Sequence, residues 1–178
     1  LAQVFFDSPS DFIKIIIGIH EDHFLMDYFI NMNHWDNSYE SVITNESRVI
    51  IKICAIINLI SLNNYVVNVI IFTMLGYIGI ILTIRSLALL YPSKYVTYLL
   101  WSVVLFPSIF IWSAGVLKEP LILLGLGMFL FGILSIQKKK EKKWFNWVLL
   151  GLGLVILLKV KFYFFCCILP TVVLLALG

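Results

Sequence analysis

Apolar residues gather in long blocks over the second two-thirds of the chain, and the polar residues between them come in short clusters. Residues 65–84, 95–112, 121–136 and 144–158 each form such a block, and 162–178 begins a fifth. A helix that crosses a hydrocarbon core of about 30 Å needs about 20 consecutive apolar residues. The pattern therefore predicts spans at about 65–84, 95–112, 121–136, 144–158 and 162–178, the last cut short. Residues 48–62 are apolar as well, but Lys52 and Asn58 interrupt them. At that length they read as an interfacial helix rather than a span.

The first 47 residues follow a different pattern. Ser8-Pro9-Ser10-Asp11 supplies an N-cap Ser, a Pro at the first helical position and an acid within the first turn. Phe12, Ile13, Ile16 and Ile17 follow at helical spacing. A second helix is expected from Asp22 to Met32, and residues 33–47 are turn-prone. The expected fold class is all-α: a polytopic helical membrane protein with an extracytoplasmic helical N-terminal segment, 1–64, and a membrane domain, 65–178.

Composition agrees with that class. Hydrophobic residues make up 61% of the 178 and charged residues 13%, and the mean hydropathy is +1.00. A single soluble core of this size could not bury so much apolar surface. A chain that opens on Leu1 and closes at Gly178 within an apolar run is expected to be a piece of a longer membrane protein.

Charge orients the spans. Five lysines (Lys138, Lys139, Lys140, Lys142, Lys143) crowd the short loop 137–143, and so basic a loop between two spans belongs on the cytoplasmic side. Alternation then puts Arg85 and Lys94 inside and residues 1–64 outside. Residues 1–46 hold eight of the ten acids against one Lys, a net of −7, while the rest carries twelve bases and two acids, a net of +10. Because the lysines sit beside spans rather than along a soluble face, nucleic acid is excluded as a partner. Membrane lipid is the expected one.

Lys118, Lys159 and Lys161 fall on the outer side, where the positive-inside bias gives them no role. Lys118-Glu119 follows a stretch in which Pro107, Ser108, Ser113, Gly115 and Pro120 interrupt the apolar run. Irregular backbone at membrane depth is tolerated only where protein or a water-filled cavity covers it. One reading is a hairpin turn with snorkelling charges and a Trp anchor. The other is a cavity-facing pair that holds a phosphate and a polar group. Lys159-Val160-Lys161-Phe162-Tyr163 repeats the pattern at the next outer turn, with the same two readings. A shared anionic site would bring Lys118 close to Lys159 or Lys161, with Trp112, Ser113 and Tyr163 as cavity walls or interface anchors.

Other clusters carry less. His20, His23 and Asp27 are ligand types for a divalent metal, but Gly18 and the expected helix break favour a solvated acidic turn, and no cofactor is expected. Asp7 is an outer-side acid with no structural explanation, whereas Asp11 is a helix-start residue. Cys54, Cys166 and Cys167 have neither metal-ligand nor disulfide spacing. Gly76, Gly79, Gly125, Gly127, Gly151 and Gly153 lie within spans and predict close helix contacts rather than nucleotide loops, since no strand precedes them.

The motifs Asn45-Glu46-Ser47-Arg48, Phe72-Thr73-Met74-Leu75-Gly76-Tyr77-Ile78-Gly79, Phe106-Pro107-Ser108…Trp112-Ser113-Ala114-Gly115…Lys118-Glu119 and Leu158-Lys159-Val160-Lys161-Phe162-Tyr163 occur in this order. Together they resemble a group of bacterial multi-span proteins similar to the GT-C superfamily of membrane glycosyltransferases, which use lipid-phosphate-linked sugars. The resemblance implies a helical core in the bacterial inner membrane, active-site loops on the outer face and a polyprenyl-phosphate sugar donor bound between spans. It would make Lys118, Lys159 and Lys161 the donor-phosphate ligands, with Glu119 orienting Lys118 or a sugar hydroxyl. Such enzymes carry a catalytic acid just after their first span, so the base here would be Asp7 or would lie upstream of Leu1. The rival expectations are a non-enzymatic transporter or flippase of lipid-linked glycans, and a membrane assembly subunit.

Overall fold

The computed structural model describes residues 7–17, 46–62, 64–113, 115–138 and 143–177. Every regular element among them is a helix: α1 (Pro9–Ile17), α2 (Glu46–Ser61), α3 (Tyr65–Leu90), α4 (Ser93–Val104), α5 (Pro107–Ser113), α6 (Glu119–Gln137), α7 (Lys143–Val160) and α8 (Phe162–Leu177). The chain forms two compact units, Leu1–Asn68 and Val69–Gly178, with the boundary in the first turns of α3.

In the first unit, α1 begins where the Ser-Pro signal places it. Ser8 Oγ donates to Asp11 Oδ2 at 2.7 Å, and Asp11 N–H returns to Ser8 O at 3.2 Å. Phe12 and Ile15, three apart on one face, are buried, while Ile13 is exposed. The two polar interruptions of α2 both have partners in this unit. Lys52 Nζ donates to Ile16 O at 3.1 Å, satisfying one of the orphan carbonyls at the end of α1 and placing a cation at its negative end. Asn58 Oδ1 accepts from Asn68 Nδ2 at 2.6 Å, and Asn68 is buried. Leu62, just past α2, adopts φ 50°, the left-handed conformation that ends many helices and is usually given to Gly or Asn.

The second unit is built on the α6–α7 hairpin. Its helices approach closely because glycines face the contact. A β-carbon on Gly153 would stand 2.6 Å from Phe129 N and 2.8 Å from Gly125 O, and one on Gly132 would stand 2.8 Å from Leu150 Cβ. Such small-residue contacts let backbones meet where side chains would hold them apart. On another face of α6, a β-carbon on Gly79 of α3 would collide with the backbone of Leu123 and Leu124. Gly151, by contrast, has open space around it. Phe129 and Phe165 tie α6 to α8 edge-to-face, with ring centroids 5.8 Å apart.

Three boundaries differ from expectation. α3 continues past residue 84 to Leu90, so Arg85 is helical and not in a loop. The block 95–112 is two helices, broken at Leu105 and Phe106. Pro107 has no N–H to give, and it disfavours helical backbone at Phe106; α5 starts afresh on the proline. α7 and α8 are separated by Lys161 alone. Its carbonyl accepts from Phe164 N at 3.1 Å, and its own N–H still closes α7 on Leu157 O at 3.0 Å.

Two helices, α3 (26 residues) and α6 (19 residues), are long and apolar enough to cross a membrane. α7 from Trp144 is a shorter apolar helix.

Candidate functional site

The Pro107 break has a structural consequence. It separates α4 from α5 and leaves between them, α6 and α8 a cavity of about 760 Å³. Ser102 and Val103 of α4, Phe106, Ser108 and Ile109 at the break, Ile122 and Leu123 of α6, and Phe164 of α8 line it, together with two charged residues, Glu119 and Lys161. The walls are largely hydrocarbon, so the charged pair supplies most of the polar chemistry.

Each charge is placed by a helix end. Glu119 is the first residue of α6, with Pro120 behind it and Lys118 at the N-cap. A carboxylate is favoured there because the unpaired N–H groups and the macrodipole make a helix start electropositive. Lys161 is the single residue between α7 and α8. Lys161 Nζ lies 3.7 Å from Glu119 Oε1, with the two side chains 21% and 31% exposed, and 5.7 Å from the ring centre of Tyr163. At that separation the pair attracts mainly by charge, since a charge-assisted hydrogen bond is shorter. Both groups keep solvent access, and an exchange of partners is open to each.

The two turns singled out in the sequence meet through Glu119 and Lys161. Lys118 is half-buried at the α6 N-cap, where its carbonyl accepts from Ile122 N at 3.0 Å, and its side chain is not part of the cavity wall. Lys159 is exposed and does not line the cavity either. Tyr163 is exposed, with its ring beneath Lys161. Trp112 and Ser113 end α5, but their side chains lie outside the described set. Asp7 is exposed and belongs to the first unit. His20, His23 and Asp27 fall outside the described residues, as does the helix expected from Asp22 to Met32. Among the described residues, no group of three metal-ligand types gathers.

Sequence reasoning missed Ser102, Phe106, Ile109 and Phe164 as lining residues. The available signal was Ser102 itself, a hydroxyl inside an apolar block one turn before a proline break. Its Oγ donates to Leu99 O at 2.8 Å.

No protein-family model, curated protein or solved structure matches this chain.

Proposed function

We propose that this chain is part of a polytopic inner-membrane protein of GT-C type that moves a sugar from a polyprenyl-phosphate-linked donor to an acceptor on the extracytoplasmic face. The observation that carries the reading is the Glu119–Lys161 pair on the wall of an otherwise apolar cavity of about 760 Å³. A lipid phosphate joins a long hydrocarbon to a compact anion. Phe106, Ile109, Ile122 and Phe164 suit the first part and Lys161 the second, as a mobile point charge. Phosphate entry would draw Lys161 from Glu119 and free the carboxylate to take a sugar hydroxyl. Lys118 and Lys159, on the same two turns, would add positive potential without lining the cavity. Topology follows the lysine loop: 137–143 inside, residues 1–64 and the cavity outside.

A second reading, a transporter or flippase for the same kind of lipid-linked glycan, is favoured by one observation. Glu119 is the only carboxylate on the cavity wall among the described residues, and it is already engaged by Lys161. Binding alone needs no further acid.

The full-length protein in liposomes, supplied with a polyprenyl-phosphate-linked sugar, separates the two. An enzyme loses sugar transfer in Lys161→Gln and Glu119→Gln. A transporter shows no transfer in the wild type but moves the intact lipid-linked glycan across the bilayer. Transfer that is unchanged in both variants would overturn the assignment of this cavity.

A further inference from the structure

A second cleft, of about 790 Å³, lies at the other end of the same unit, where Arg85 of α3, Ser135 of α6 and Asn146 of α7 come together. Two polar groups in it have no partner among the described residues, the exposed Arg85 and the buried Ser135. No hydrogen bond or ion pair joins the Arg85 guanidinium to another described residue, although it sits on a helix of almost wholly apolar sequence. Ser135 is 3% exposed, and its hydroxyl likewise has no partner among the described residues. That is unusual for a hydroxyl in an apolar helix, which ordinarily donates to the carbonyl one turn back. Thr73, Thr83 and Ser86 of α3 all do so, at 2.8, 2.9 and 2.7 Å. A buried donor left unpaired is unfavourable unless something else accepts from it.

We propose that this cleft is a binding site for one anionic phospholipid, with its phosphate on the Arg85 guanidinium and the Ser135 hydroxyl and an acyl chain along Leu82, Leu89, Met128 and Phe131. A planar guanidinium fork matches a phosphate diester, the Ser hydroxyl gains its missing acceptor, and the apolar wall excludes a fully hydrated ion. Lys138, exposed at the end of α6 three residues beyond Ser135, adds attraction for an anionic head group. The site rests on the membrane placement proposed above and not on the transferase or transporter activity, because it shares no residue with the Glu119–Lys161 cavity.

The test is native mass spectrometry of the full-length protein released from bilayers of mixed dioleoyl phosphatidylglycerol and dioleoyl phosphatidylcholine. The wild type should retain one phosphatidylglycerol in preference to phosphatidylcholine. Arg85→Gln should lower that preference about fivefold, as expected for one cation at a lipid surface, and Arg85→Lys should restore part of it. Ser135→Ala should weaken retention while leaving helicity by circular dichroism unchanged. Lys14→Gln, on α1 and in the lining of neither cavity, should have no effect on it. Equal retention of the two lipids would overturn the site. So would a preference that survives Arg85→Gln but disappears in Lys138→Gln, since that is surface charge alone, or displacement of the lipid by inorganic phosphate, since that is a site for a free anion.

Discussion

Lys161 Nζ stands 3.7 Å from Glu119 Oε1, which joins the first residue of α6 to the residue before α8 on the wall of a largely apolar cavity. Both side chains keep partial solvent exposure, so the pair contributes at most about 1 kcal/mol to stability. Its value in this account lies in what each partner does when the other is occupied.

The two partners should therefore respond in opposite directions. Glu119→Gln removes the carboxylate that competes with phosphate for Lys161 and should tighten binding of a polyprenyl phosphate about fivefold, the equivalent of about 1 kcal/mol, while slowing any transfer. Lys161→Gln should weaken the same binding. Titration of the purified full-length protein with a fluorescent polyprenyl phosphate measures both. A shift in the same direction for the two variants would contradict competition between Glu119 and phosphate for Lys161.

Gly151 and Gly153, two residues apart on α7, should behave as opposites. Gly153→Ala pushes a methyl into the backbone of Phe129 and Gly125, which should cost about 1–3 kcal/mol as overpacking. Gly151→Ala meets open space and should be neutral or gain up to about 1 kcal/mol from helix propensity. Melting temperatures in detergent compare them. Equal losses would mean that α6 and α7 do not meet at Gly153.

Leu62 is 84% exposed and holds φ 50°, so its side chain adds little while its β-carbon opposes the backbone. Leu62→Gly should stabilise the first unit by about 1 kcal/mol, less the entropy that glycine adds to the unfolded chain. A lower melting temperature would argue against the left-handed turn.

Burial pushes the Cys54 thiol above its ordinary range. The neutral thiol is the form favoured in the folded state, so at a given pH there is less thiolate to react. With Cys166 and Cys167 changed to Ser, alkylation of Cys54 by iodoacetamide should be slower in the folded than in the denatured chain, and its rate should rise at higher pH. Coincident pH profiles would place Cys54 in water.

The helices were legible from apolar blocks, and the start of α1 from Ser8-Pro9. What the pattern could not show was where polar residues inside those blocks would go. Lys52 and Asn58 stood out as interruptions of an apolar run, but the sequence did not show that Lys52 reaches a carbonyl of α1 and Asn58 reaches Asn68. Pro107 signalled a break, but the apolar residues on both sides of it, read as one block over 95–112, concealed that α4 and α5 are separate helices. At the site, Glu119, Lys161 and Tyr163 stood out because charged and aromatic residues at the end of an apolar block are conspicuous. Ile109 and Phe164 did not, since an apolar residue facing a cavity looks the same in sequence as one facing lipid. Gly151 and Gly153 are likewise alike until the neighbouring helix is in place.

In the proposed topology the Glu119–Lys161 cavity opens to the outer face and the lysine loop to the inner one. In the full-length protein with its own cysteines replaced by Ser, Ser108→Cys should react with a membrane-impermeant maleimide added to intact cells, because Ser108 is exposed and lines the cavity. Lys138→Cys, at the start of the lysine loop, should react only after the cells are permeabilised. Labelling of Lys138→Cys from outside, with Ser108→Cys protected until permeabilisation, would contradict the account.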